Sequence, residues 1–312
     1  MTSSKQVSYD IIGDIHGHAD KLRGLLRNLG YREHLGAWRH PERQAIFVGD
    51  LIDRGPEQVA TVNIVRSMVD AGSARCIMGN HEFNAIAWFT PDATQPGEYL
   101  RPHGKPSNRN QHAAFLAEVE GKPLHGEIID WFRTLPLYVE EPNIRIVHAC
   151  WHGPSIDWLR THLSPAGSLS TDLVEEGSRK GTRAYAAIEV VCKGLEARLP
   201  EGVSFHDKDG KERHEARIRW WDADLSTFRQ AAIGPDELLQ RIPDVPFPPD
   251  QRPPPYSGPP VFFGHYWFTG VPRVLGTSAA CVDYSVGRGG PIVAYRWDGE
   301  QSLDADKFVC AS

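Results

Sequence analysis

The sequence predicts an α/β fold, and three observations carry the prediction. Short apolar runs repeatedly precede stretches with helical periodicity; each run stops at a glycine or a polar residue; and no stretch approaches the roughly 20 apolar residues of a membrane span. SYDII (8–12) is the first run. Asp20 then caps a predicted helix whose Leu22, Leu25, Leu26 and Leu29 share one face, and Gly30 stops it. QAIFV (44–48) repeats the plan, with a helix over about 57–69 and Gly72 as its stop. ARCIM (74–78) reads as a third strand, and GNHEFNAIAWF after it as a loop entering a helix. NIRIVHAC (143–150) is a fourth strand.

Beyond Trp151 the pattern weakens. Helical material is expected near 183–199, and 202–221 reads as a hairpin turning at Asp207–Gly210. The segment 242–260 holds nine of the 24 prolines and can supply few ladder donors, so it reads as a stiff, extended connector. VFF (261–263), AACVDYSV (279–286) and GPIVAYRW (290–297) supply three late strands, with GRGG (287–290) read as a hairpin turn. Because no repeat is present and early strands need late ones to pair with, the expected organisation is one domain over 1–312. Insertions are expected at about 85–125 and 151–260, the second including the Pro-rich loop 243–260.

The chain of 312 residues carries 34 basic and 40 acidic residues, a formal net charge of −6, and no long run of either sign. General nucleic-acid binding is therefore not expected, and any phosphate recognition must be local. With no apolar leader at the start and no membrane span, the expectation is a cytoplasmic protein. Five widely spaced cysteines without a CxxC pair indicate neither a disulfide framework nor a zinc knuckle.

The polar residues just past the strands form a pattern that one charged turn cannot. Asp14 and His16 follow the first run; Asp50, Asp53 and Arg54 the second; Asn80, His81 and Glu82 the third; His148 the fourth; and His265 follows VFF. Ligands of α/β proteins sit at the carboxyl ends of parallel strands. Carboxylate, amide and imidazole donors without thiolate suit Mn²⁺, Fe or Zn²⁺. Six donors exceed one ion's needs, and two ions about 3.5–4 Å apart share a ligand, for which Asp50 is the natural bridge.

At this point the sequence resembles the calcineurin-like metallophosphoesterases. GDLIDRG (49–55) with GNHE (79–82) looks like their phosphoprotein phosphatase branch, which also contains bacterial Ser/Thr phosphatases and diadenosine tetraphosphatase-like enzymes. The resemblance is dense over 10–84 and returns at 144–149 and 261–297. It implies a sandwich of two mixed sheets flanked by helices, with two divalent metal ions, Mn²⁺ foremost. Asp14, His16 and Asp50 would hold one ion, and Asp50, Asn80, His148 and His265 the other. Arg54 would bind phosphate oxygens, His81 would protonate the leaving oxygen, and Asp53 would orient His81. The implied reaction is hydrolysis of a phosphoester by a metal-bound hydroxide, first on a phosphoprotein; the alternative is a dinucleoside tetraphosphate or other small phosphoester, and a non-catalytic binding module is the third reading.

Two departures stand out. The family's HAG is HAC here, followed by WHG, so Cys150 and His152 adjoin the ligand His148. GHYW (264–267) has Trp267 where nuclease-like relatives have a second histidine, which argues against an exonuclease. Trp220 and Trp221 beside Arg217 and Arg219 are read either as core or as a surface for stacking a base. His18, His103 and His112 have no assigned partner and are expected at the surface.

Overall fold

A computed structural model describes residues 8–206, 212–222, 225–234 and 236–312. In chain order its first part comprises β1 (Ser8–Ile12), α1 (Ala19–Leu29), β2 (Arg32–His34), β3 (Ala37–Arg39), β4 (Arg43–Phe47), α2 (Gln58–Asp70), β5 (Ala74–Cys76) and α3 (Asn80–Phe89). Then come α4 (Pro106–Gln111), α5 (Ala113–Val119), α6 (Pro123–Arg133), β6 (Tyr138–Glu141) and β7 (Ile144–Val147). The middle holds α7 (Gly153–Arg160), α8 (Thr171–Gly177), α9 (Arg183–Lys193), β8 (Glu196–Arg198), β9 (Phe205–His206), β10 (Glu212–Arg213), β11 (Glu215–Ile218), α10 (Phe228–Ala231), β12 (Ala232–Ile233) and α11 (Asp236–Arg241). The chain closes with β13 (Val261–Phe263), β14 (Val274–Leu275), β15 (Ala279–Cys281), β16 (Ile292–Trp297) and β17 (Phe308–Ala311).

Two five-stranded mixed sheets carry the fold, in the orders β17-β16-β1-β4-β5 and β14-β15-β13-β7-β6. Strands β1, β4 and β5 are parallel, as are β7, β13 and β15, and the remaining strands join antiparallel at the edges. Side chains alternate across each sheet, so each strand serves two cores. Ile11 and Ile46 of the first sheet meet Ile146 and Phe262 of the second in a layer between the sheets. Their neighbours Ile12, Phe47, Val147 and Phe263 point outward into the core shared with the helices. This is the sandwich flanked by helices that the sequence resemblance implied.

In α1 the four expected leucines are buried and Gly30 ends the helix in a left-handed conformation, φ +95°. Asp20 is not its cap, however: the helix starts two residues earlier than that, at Ala19, with His18 at the N-cap and Asp20 exposed inside the first turn. GRGG is not a hairpin turn, because β15 and β16 lie in different sheets; Val286–Arg288 instead forms a 3₁₀ turn between them. Of the hairpin expected over 202–221, β9 pairs with β10, the turn at Asp207–Gly210 lies outside the described residues, and β11 pairs instead with β8 and β12 in a different sheet. Strands β8, β11 and β12 form a separate small sheet over a satellite core that includes Phe228, Leu238 and Phe247. Among the described residues, no helix is long and apolar enough to cross a membrane.

Candidate metal centre

The loops leaving β1, β4, β5, β7 and β13 converge, and they bring together all six of the residues expected as ligands. Asp14, His16, Asp50, Asn80, His148 and His265 are buried, as are His81 and Asp53, while Arg54 is exposed. The backbone is under strain here. Among the described residues, eight non-glycine residues have positive φ: His16, Asp50, Asp53, Arg54, His265 and Trp267 belong to these loops, Ser285 follows β15, and Leu35 lies between β2 and β3. A left-handed non-glycine residue costs roughly 1–3 kcal/mol, so such a concentration persists only where surrounding structure imposes it.

Two hydrogen bonds settle imidazole tautomers. His16 donates its Nδ1 hydrogen to the carbonyl of Ile52 at 2.9 Å, and His148 donates its own to Val48 at 2.7 Å. Both Nε2 lone pairs therefore face the site. His148 Nε2 lies 3.4 Å from Asp50 Oδ1 and 3.2 Å from Asn80 Oδ1, and His16 Nε2 lies 3.8 Å from Asp50 Oδ2. Nitrogen and oxygen donor atoms thus converge on one space, as the ligands of a cation do. His16 Nε2 and both ring nitrogens of His265 are buried without a hydrogen-bond partner among the described residues, which agrees with that reading.

The donor atoms group into two sets, His16, Asp50 and His81, and Asp50, His148 and His265, each with its members within 4.8 Å of one another. Asp50 belongs to both, one carboxylate oxygen facing each set. That is the arrangement expected of a bridge, and the residues fit a pair of divalent ions. Asp14 stands at the margin of the first set, 4.0 Å from His16 Nε2, where its Oδ2 accepts the His265 amide at 3.1 Å. Glycines make room for these carboxylates. A Cβ on Gly264 would fall 2.0 Å from Asp14 Oδ1, and one on Gly79 would fall 2.3 Å from Asp50 Oδ1.

Beside the ligands lies a histidine chain. His81 Nδ1 is 2.5 Å from Asp53 Oδ2, leaving Nε2 toward Asp50 at 3.8 Å. Burial disfavours the charged imidazolium of His81, but the carboxylates of Asp50 and Asp53 outweigh it and raise its proton affinity. For Asp53, burial is opposed by His112 and His81, which bring its pKa to about 2. His112 is the unexpected partner: it is fully buried rather than at the surface, with Nδ1 2.9 Å from the same Asp53 oxygen. Of the other two histidines, His103 is exposed and stacks on Trp88 and Tyr99, and His18 is half-buried.

Glu82 was legible as a strand-end residue but without a role. Its carboxylate accepts the amides of Asp50 and Leu51, each at 2.8 Å, and of Gly79 at 2.9 Å, so one buried side chain pins the two loops that carry Asp50 and Asn80. Trp220 is core and offers no face to a base: it is buried, and its indole N–H donates to the Ala149 carbonyl at 3.0 Å. Trp221 packs against Phe263 and Tyr266. His152 stands at the N-cap of α7, with Nδ1 2.8 Å from Ser155 Oγ. Cys150 is buried.

The family profile described as calcineurin-like phosphoesterase matches residues 8–178. An asymmetrical bis(5'-nucleosyl)-tetraphosphatase of Oceanobacillus iheyensis is 32% identical over 141 residues, 45% of this chain and 54% of that protein. The chain thus spans about half the length of such curated relatives. A symmetrical bis(5'-nucleosyl)-tetraphosphatase of Methylococcus capsulatus is 25% identical over 297 residues, 92% of this chain and 91% of the relative. Among solved structures, a protein serine/threonine phosphatase from Saccharomyces cerevisiae with similarity to human PP5 superposes with a TM-score of 0.50 at 14% identity, covering 99% of this chain and 80% of its own. That likeness speaks to the fold alone.

Proposed function

The chain belongs to the calcineurin-like phosphoesterase family, and from that premise we propose that it is a metal-dependent phosphohydrolase acting on dinucleoside tetraphosphates. The observation that carries the reaction class is Asp50, whose two oxygens face two separate donor sets. The substrate class rests on the tetraphosphatase relatives, one of them alignable along nearly the whole chain. They favour the nucleotide reading over the phosphoprotein reading, which the sequence motifs had ranked first.

In this proposal Asp14, His16 and Asp50 hold one ion and Asp50, Asn80, His148 and His265 the other. Bound divalent ions, taken here as Mn²⁺, would neutralise phosphate charge and lower the pKa of a coordinated water. Arg54, exposed at the rim, offers its guanidinium fork to the oxygens of the scissile phosphate. His81 presents Nε2 for proton donation to the leaving oxygen, while Asp53 fixes the ring through Nδ1 and favours its charged form. The ligands, His81 and Asp53 are buried, while Arg54 beside them is exposed. We read the chain as one domain with insertions at about 85–125 and 151–260, the first of which contributes His112 to the site.

The test is a rate comparison in Mn²⁺ on diadenosine tetraphosphate, a phosphopeptide and p-nitrophenyl phosphate. The expected result is the highest kcat/KM on diadenosine tetraphosphate, abolished by Asp50→Asn. Turnover of the phosphopeptide alone would overturn the substrate assignment.

A further inference from the structure

Trp267, at the position where a nuclease-like relative would carry histidine, has an environment that the metal centre does not explain. Its indole stands 5.3 Å from the ring of His16, between centroids, and two guanidiniums lie over it, Arg288 at 4.6 Å and Arg54 at 5.4 Å. The two guanidinium carbons can therefore be no further apart than the sum of those two distances. Both arginines are exposed, and neither has a carboxylate partner among the described residues. Like charges held over one ring without a counterion leave a place prepared for an anion.

The surroundings hold this arrangement in place. Asp283, buried, accepts the Trp267 amide at 2.6 Å with one oxygen and the Ser285 amide at 2.9 Å with the other, tying the Trp267 loop to the turn that carries Arg288. Trp267 and Ser285 both take left-handed backbone conformations, φ +56° and +62°. Gly287 lets the parts close: a Cβ there would fall 3.1 Å from Arg54 Cγ and 3.1 Å from Trp267 Cη2. The three loops involved come from both sheets of the sandwich.

We infer that Arg288, stacked with Arg54 on Trp267, forms a second anion subsite that takes the phosphate next to the scissile one. The inference rests on the reading of the neighbouring centre as a phosphohydrolase site and narrows its substrates to those with consecutive phosphates. Arg54 suffices for a single phosphoryl group. A monoester leaves Arg288 without an anion, whereas a phosphoanhydride chain leaving the metal pair along Trp267 supplies one. The indole spaces the two guanidiniums and limits the rotamer freedom that each would otherwise lose on binding.

The test is calorimetric titration of Mn²⁺-loaded protein, at equal free Mn²⁺, with orthophosphate and with non-hydrolysable methylenediphosphonate. The readout is the ratio of the two dissociation constants. Arg288→Gln is expected to cut the preference for methylenediphosphonate about tenfold, and Arg288→Lys, which keeps the charge but loses the fork, to cut it by less. A ratio in Arg288→Gln within about twofold of the parent value would overturn the subsite. If the parent fails to cleave diadenosine tetraphosphate while Arg288→Gln still loses the preference, the substrate assignment falls and the subsite stands.

Discussion

Asp50 and Asp53 share one loop and one chemical type, and their neighbours divide their work. Burial disfavours charge on both; around Asp50 it is outweighed by His148 and His81, and around Asp53 by His112 and His81. Asp50 turns its oxygens to two donor sets, whereas Asp53 spends Oδ2 on two imidazoles. Asp53→Asn should therefore keep its metal and lose kcat by roughly 10²–10⁴, the usual worth of a positioned acid, because a neutral amide no longer favours protonated His81. Steady-state kinetics beside metal analysis checks this; a parallel loss of metal would count against the assignment. The ligands and His81 could be read from sequence because each stands just beyond an apolar run. His112 could not, since it lies 59 positions from Asp53 and meets it only through the folded insertion. Asp283 and Glu82 act through backbone amides, which leave no mark in side-chain pattern.

At the scale of elements, the central strands were legible because each is a short apolar run bounded by turn residues, as in SYDII and VFF. The pieces missed are of other kinds. Strands β2 and β3 are three residues each, and Arg32–His34 is exposed throughout. β17 lies at a sheet edge with half-exposed residues, and α7 and α8 are short helices in a polar stretch. Their placement depends on partners distant in sequence rather than on their own periodicity. One such long-range tie joins β1, β4 and the end of β16: Arg43 contacts Asp10 at 2.9 Å and also pairs with Asp298, which Lys307 reaches at 3.1 Å. Burial of Asp298 is outweighed by these two cations, which bring its pKa to about 2. A lowered folded-state pKa means stability present above the unfolded value near 4 and lost as pH falls toward 2. Asp298→Asn should therefore lower Tm most above pH 4, the gap to the parent closing as pH drops; a gap constant with pH would contradict the ion-pair account.

For the whole molecule, the sandwich explains why so many strained loops can be held together. Parallel strands in two facing sheets deliver their carboxyl ends to one edge, and the layer between the sheets fixes their spacing. At this edge the donor sets are arranged for two ions around one shared carboxylate. Metal analysis of desalted, Mn²⁺-reconstituted protein tests this arrangement most directly. About two equivalents of Mn²⁺ per chain are expected in the parent and fewer than one in Asp50→Asn; a parent that holds one equivalent or less, or an Asp50→Asn protein that still holds two, would rule out a shared carboxylate between two ions.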